Sequence, residues 1–160
     1  MVSFAGRGSV VLACVTVVAG CGESTTAGVG SAEQTPGSST TTVEREVSES
    51  TGFITPSGNI ACRLDPDYAR CDIMDRDWSP PPKPADCEWD YGQGVLIVGT
   101  DPAKFICAGD TTFGVEEVLP YGEAVRAGAM RCESGEAGVT CRSDDTGSGF
   151  FLSRESYQLF

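Results

Sequence analysis

The apolar positions of this chain fall into three regimes. A largely apolar run lies near its start, from Ser9 to Val18. From Gly22 to Thr51, isolated apolar residues are scattered among Ser, Thr, Gly and Glu without a period. From Gly52 to Phe160, short runs alternate apolar with polar positions and are punctuated by Gly, Pro and Asp. A period of two places successive side chains on opposite faces of a strand. No window sustains a helical period, so the expected domain is all-β, built of hairpins as a compact sandwich or a partly open barrel.

Two of the hairpins carry the same signature. In "CRLDPDYARC" and "CESGEAGVTC" eight residues separate the cysteines, with turn-forming residues at the centre. If Cys62 faces Cys71, the same register pairs Ile60 with Ile73 and Leu64 with Ala69, a wholly apolar face. Cys132 opposite Cys141 likewise brings Met130 and Val139 onto the cysteine face, interrupted by Ser134 and Ser143. Cys87 and Cys107 remain. They bracket "VLIV" and "KFIC", two runs joined by Gly99-Thr100-Asp101-Pro102, which reads as a third, longer hairpin. Chance or convergence explains the matched spacing better than duplication, because this spacing is a common hairpin solution.

The opening run is about ten residues, the length of a secretory apolar region and well short of the ~20 that a spanning helix needs. Arg7 precedes it, and Val18-Ala19-Gly20-Cys21 sets small residues before a cysteine. The tetrapeptide resembles a bacterial lipobox. That resemblance implies cleavage before Cys21, a lipid on its sulfur and loss of Cys14 with the discarded peptide. Two acyl chains, at ~0.8 kcal/mol per buried CH₂, hold a protein stably on a membrane. The expected organisation is a signal peptide over 1–20, a lipidated Cys21 with a disordered tether to residue 51, and a folded domain over 52–160. A tether of about thirty residues reaches roughly 30 Å, so the domain would stand clear of the outer face of the membrane.

Composition narrows the chemistry. The formal net charge is −12, and removal of residues 1–20 takes away one arginine and no acid, leaving −13. Nucleic acid is therefore not an expected partner. The chain has no histidine, the commonest general base and metal ligand. Six cysteines stay with the mature domain. An even number in a small exported domain reads as three disulfides, and the absence of close C-x-x-C pairs argues against zinc. Neither a cofactor nor a bound metal is expected, and nucleophile motifs such as G-x-S-x-G and S-x-x-K do not occur.

The hairpin registers also place Arg63 opposite Arg70 and Arg131 opposite Arg142, on the faces away from the cysteines. Like charges directly opposite are unfavourable without a compensator. Asp72 and Glu133 would make solvated ion-pair ladders of little energetic weight. The sharper alternative is an anion site for a phosphate, sulfate or uronate group. The acid-rich turns Asp65–Asp67, Asp75–Asp77 and Asp144–Gly149 carry oxygens of the kind calcium prefers, although none fits an EF-hand and aspartates in turns usually cap their own backbone. "WSPPPKP", Trp78 to Pro84, reads as a polyproline-like arm led by an aromatic residue, which either wraps the domain's own edge, the favoured reading, or docks a partner. Trp89, Tyr91 and Tyr121 are candidates either for stacking on sugars or for packing at the rim.

At "TPSGNIAC", "WSPPPKPADC", "CAGDT", "VLPYG", "GVTCR" and "GSGFFLSRESYQLF" the domain resembles a family of small uncharacterised actinobacterial secreted proteins and lipoproteins, mycobacterial ones among them. The likeness covers nearly all of Gly52 to Phe160. Where relatives often read Gly-His-Gly-Phe, this chain has Ser148. The resemblance implies location, domain extent and disulfides, and no activity. The expected function is a lipid-anchored binding module of the cell envelope, its partners the membrane through the anchor and a wall glycan or envelope protein. A carboxylate-dependent envelope hydrolase and a purely structural wall spacer are the alternatives.

Overall fold

The computed structural model describes residues 42–160, which form two antiparallel-dominated sheets and, among those residues, no helix. The expected signal peptide, Cys21 and residues 22–41 of the tether lie outside the described residues. In chain order the strands are β1 (Val43–Val47), β2 (Thr51–Ile54), β3 (Ile60–Asp65), β4 (Tyr68–Ile73), β5 (Tyr91–Val98) and β6 (Lys104–Cys107). They continue with β7 (Glu123–Ala127), β8 (Met130–Gly135), β9 (Gly138–Ser143), β10 (Gly149–Leu152) and β11 (Tyr157–Leu159). One sheet has the order β2-β3-β4-β5-β6 and the other β1-β7-β8-β9-β10-β11. Both sheets stay open, so the sandwich alternative holds and the barrel does not.

The expected registers are the observed ones. Cys62 faces Cys71 with Ile60 against Ile73 and Leu64 against Ala69, and Cys132 faces Cys141. Disulfides join Cys62–Cys71, Cys87–Cys107 and Cys132–Cys141. In both C-x₈-C hairpins the Cα atoms lie 4.1 Å apart, the close spacing of a narrow cross-strand pair. The inner faces bury Phe53, Leu64, Val95 and Ile97 of the first sheet against Val125, Met130, Val139 and Phe150 of the second. Each such side chain contributes about 1.5–3 kcal/mol when fully buried. The two hairpin cystines meet at the middle of this core, with 3.5 Å between Cys71 Sγ and Cys141 Sγ.

One open side of the sandwich is filled by aromatic rings. Trp78 packs on Tyr157 and Phe105, with centroids 4.7 and 5.9 Å away, and its Nε1 donates to Ser153 O at 2.8 Å. Arg76 stacks over the Trp78 ring at 4.9 Å. Trp78, at the head of the proline arm, therefore packs on the domain itself, while Pro81, Pro82, Lys83 and Pro84 stay exposed.

The tether boundary requires correction. Val43–Val47, expected within disordered chain, is a strand paired in parallel with β7, and Thr51 already belongs to β2. The segment "VEREV" exposes its first four residues and packs Val47 alone against the core. It gains order from its backbone ladder and ion pairs rather than from an apolar face, so hydropathy does not reveal it.

Candidate functional site

The outer face of β3 and β4 is covered over Ala61, Arg70 and Asp72, while Arg63 stays exposed. After β6, residues 108–119 run as a strap from one edge of the first sheet to the other. The strap begins with Ala108 N donating to Asp90 O and ends beside β2, where Ile54 N donates to Glu117 O and Leu119 N to Ile54 O. In between, Thr112 Oγ1 donates to Ala61 O at 2.6 Å and Thr112 N donates to Asp72 Oδ2 at 2.9 Å. One glycine admits the strap itself and another the Asp72 side chain that the strap meets. A Cβ on Gly52 would lie 2.6 Å from Val115 Cγ1, and one on Gly94 would lie 2.2 Å from Asp72 Oδ1.

Under the strap lies a charge network. Arg70 Nε and NH2 donate to the two carboxylate oxygens of Asp72, both at 2.9 Å. Arg70 NH1 donates to Asp110 Oδ1 at 2.7 Å and NH2 donates to Asp110 O at 2.8 Å. The Asp72 side chain is 1% exposed and that of Arg70 9%, whereas the Asp110 side chain is 78% exposed. Burial alone would lower the Arg70 pKa, but the hydrogen bonds to Asp72 and Asp110 outweigh it and hold the guanidinium above its ordinary value. The hydrogen bond from Arg70 holds the Asp110 carboxyl below the usual range, with Arg63 adding a smaller share. The expected solvated ladder is thus corrected here: Arg70 and Asp72 form a buried, bidentate pair. Arg63 stands opposite Arg70 in register, is exposed, and makes no ion pair among the described residues.

The other arginine face is a row across three strands. Arg126 on β7 is in register with Arg131 on β8, which is in register with Arg142 on β9. Glu44 of β1 accepts from Arg126 Nε at 2.8 Å and Arg131 Nε at 2.6 Å. Arg131 also donates to Glu133 at 2.9 Å, Arg142 to Asp144 at 2.8 Å, and Arg126 to Asp144. Three cations face three carboxylates. The hydrogen bonds from Arg126 and then Arg131 lower the Glu44 pKa. Burial would raise Asp144, but its two arginines prevail and lower it. Sequence reasoning missed Glu44 and Arg126. The tight turn between Ala127 and Met130, with Gly128 at φ 53°, is the signal that would have aligned Arg126 with Arg131.

The acid-rich turns serve the backbone and nearby arginines. Asp65 Oδ1 accepts from Asp67 N at 2.9 Å, Asp77 lies 3.6 Å from Arg154, and Asp144 belongs to the row just described. The sulfurs of Cys62, Cys71 and Cys141 cluster tightly enough to resemble a metal site, but all three are cystine sulfurs rather than thiolates.

At one end of the sandwich the β2–β3, β8–β9 and β10–β11 turns enclose a cleft of about 370 Å³. Among its lining residues, Asn59 and the Asp75 backbone exchange reciprocal hydrogen bonds at 2.8 and 3.0 Å. Its rim carries the exposed Met74 and Tyr121 together with Asp75, Glu136 and Glu155. Of the three aromatic candidates, Trp89 and Tyr121 are exposed, while Tyr91 packs on Phe105 at 6.1 Å.

Residues 41–160 match the model of DUF6636, a family of unknown function. The chain belongs to this family. The match begins two residues before β1, in agreement with the corrected start of the fold. No curated protein and no solved structure matches the chain.

Proposed function

We propose that this member of DUF6636 is a lipid-anchored lipoprotein on the outer face of an actinobacterial-type cell membrane, where its β domain acts as a binding module. The observation that carries the reading is the stack of two fully buried cystines at the centre of the core. A core built on disulfides belongs in an oxidising compartment, and the lipobox at Val18–Cys21 supplies the route and the anchor. The turn-end cleft supports the binding role: it combines an exposed aromatic ring, a thioether and carboxylates beside the hydrogen-bonded Asn59 and Asp75. The hydrolase alternative draws no such support. Among the described residues, the carboxyls with a clear shift, Glu44, Asp110 and Asp144, are lowered by the arginines that hold them, whereas a general acid requires the opposite.

Detergent-phase partitioning of the full chain against Cys21→Ala tests the anchor. The wild type should enter the detergent phase and the variant should stay in the aqueous phase; equal partitioning sinks the anchor. Capture of envelope glycans and proteins on the full chain tests binding, with Tyr121→Ala expected to lose the captured component. Retention of nothing by the wild type would instead indicate a spacer.

A further inference from the structure

We propose that Asp110 is a built-in stand-in for a ligand carboxylate, and that the guanidinium edge it covers, with Arg63 beside it, is a binding site for a monocarboxylate group. This goes beyond the envelope reading and depends on neither the anchor nor the turn-end cleft.

The two edges of Arg70 are treated differently. The Nε/NH2 edge is occupied by the buried Asp72 carboxylate, a matched fork-to-fork pair. The NH1/NH2 edge is met by two unrelated atoms of Asp110, a carboxylate oxygen and the main-chain carbonyl. A free carboxylate would satisfy both donors at once, with the planar geometry that an arginine fork prefers. The occupant is also poorly enclosed, since the Asp110 side chain is 78% exposed and lines an open hollow with Asp90, Tyr91 and Gln93. The Gln93 side-chain Oε1 in this hollow is buried without a hydrogen-bond partner among the described residues, an acceptor that a hydroxyl or N–H elsewhere on the ligand, not its carboxylate, would meet.

Charge selects the ligand. Arg63 and Arg70 carry two positive charges against Asp72 and Asp110. Displacing Asp110 leaves a net charge of about +1 on the other three side chains, and Asp90 already lines the same hollow, so the site suits a monoanion rather than a phosphate dianion. The opposite arginine row has no corresponding opening, because Glu44, Glu133 and Asp144 balance its three cations. Asp110 acts as a tethered competitor, so the wild-type site responds weakly to a small free carboxylate and admits a ligand that adds contacts of its own.

The test is thermal unfolding of the full chain in detergent, as wild type, Asp110→Ala and Asp110→Asn, in sodium acetate against sodium chloride at equal ionic strength and neutral pH. Once acetate exceeds its Kd about tenfold, it should raise the Tm of both variants by about 5 °C over chloride and leave the wild type nearly unmoved. Adding Arg63→Gln to Asp110→Ala should weaken that acetate response several-fold. Glucuronate and alanyl-alanine arms distinguish a sugar acid from a peptide carboxyl terminus as the natural source. Equal responses to acetate and chloride in both variants, or an acetate response as large in the wild type, would overturn the site. A larger response to phosphate than to acetate would overturn the assignment to a monocarboxylate.

Discussion

The β3–β4 and β8–β9 hairpins begin from the same local solution and end in different environments. Each joins its strands through a two-residue turn, closes a cystine in the same register and points that cystine into one core. Each also bears a cross-strand arginine pair on its outer face, on different rungs. Arg63 and Arg70 lie between the cystine and the turn, whereas Arg131 and Arg142 lie on the far side of the cystine. The first outer face is roofed by the 108–119 strap, which makes Arg70–Asp72 a buried pair. The second is met by the thin edge strand β1, which leaves its arginines partly solvated. A hairpin thus determines which residues face each other, and a distant segment determines what the facing costs.

The largest effects should come from the cystines, where the two hairpins ought to behave alike. Both span a sequence separation of 9. The chain-entropy model therefore assigns each about 2.7 kcal/mol. Replacing Cys62 with Cys71, or Cys132 with Cys141, by alanine pairs should lower urea-unfolding stability by about 2–5 kcal/mol in either case. Because Cys71 Sγ and Cys141 Sγ are 3.5 Å apart, removing both cystines should depart from the sum by more than about 0.5 kcal/mol. Strict additivity would show that the two hairpins do not share one core.

This similarity was readable in the sequence, and the contrast was not. Spacing and a period of two suffice for Cys62–Cys71 and Ile60–Ile73, because the information is local and the buried face is apolar. Nothing local announces that Thr112 and Asp110, about forty residues away, will cover Asp72, since polar strap residues carry no hydrophobic period. β1 failed for a related reason: "VEREV" reads as linker because four of its five residues are exposed and its docking relies on Glu44 meeting two arginines. The cleft is assembled from turns of both sheets, so no single motif foretells it.

The next effect in size separates the hairpins. Asp72→Ala leaves the Arg70 guanidinium buried without its main partner and removes the acceptor for Thr112 N. It should destabilise by about 3–5 kcal/mol. Arg142→Gln, at a 47% exposed side chain, should change stability by about 0–1 kcal/mol. Urea unfolding of the two variants side by side measures the difference. Equal costs would mean that the strap does not exclude water from Arg70, and the comparison would collapse.

The smallest global effect, and the most local, concerns β1. Glu44 is held by Arg126 and Arg131 near the surface, so Glu44→Gln should shift overall unfolding by less than about 1 kcal/mol. It should nevertheless loosen the β1–β7 ladder, because the first four residues of β1 are exposed and have little else to hold them. The Glu44 pKa is lowered in the folded chain. A group of this kind contributes stability that is present above the unfolded carboxyl pKa, about 4.3, and is lost as pH falls through the depressed folded value. Glutamine mimics the protonated carboxyl. Backbone amide shifts of Val43–Val47 and Glu123–Ala127, followed by NMR from neutral pH downwards, should therefore move in the wild type below about pH 4 toward the positions that Glu44→Gln holds at neutral pH. The amides of the fully buried Cys62, Leu64, Ala69 and Cys71 should stay in place over the range in which β1 responds. Simultaneous movement of both sets would show that β1 and the core open as one unit, and that the second hairpin is as well protected as the first.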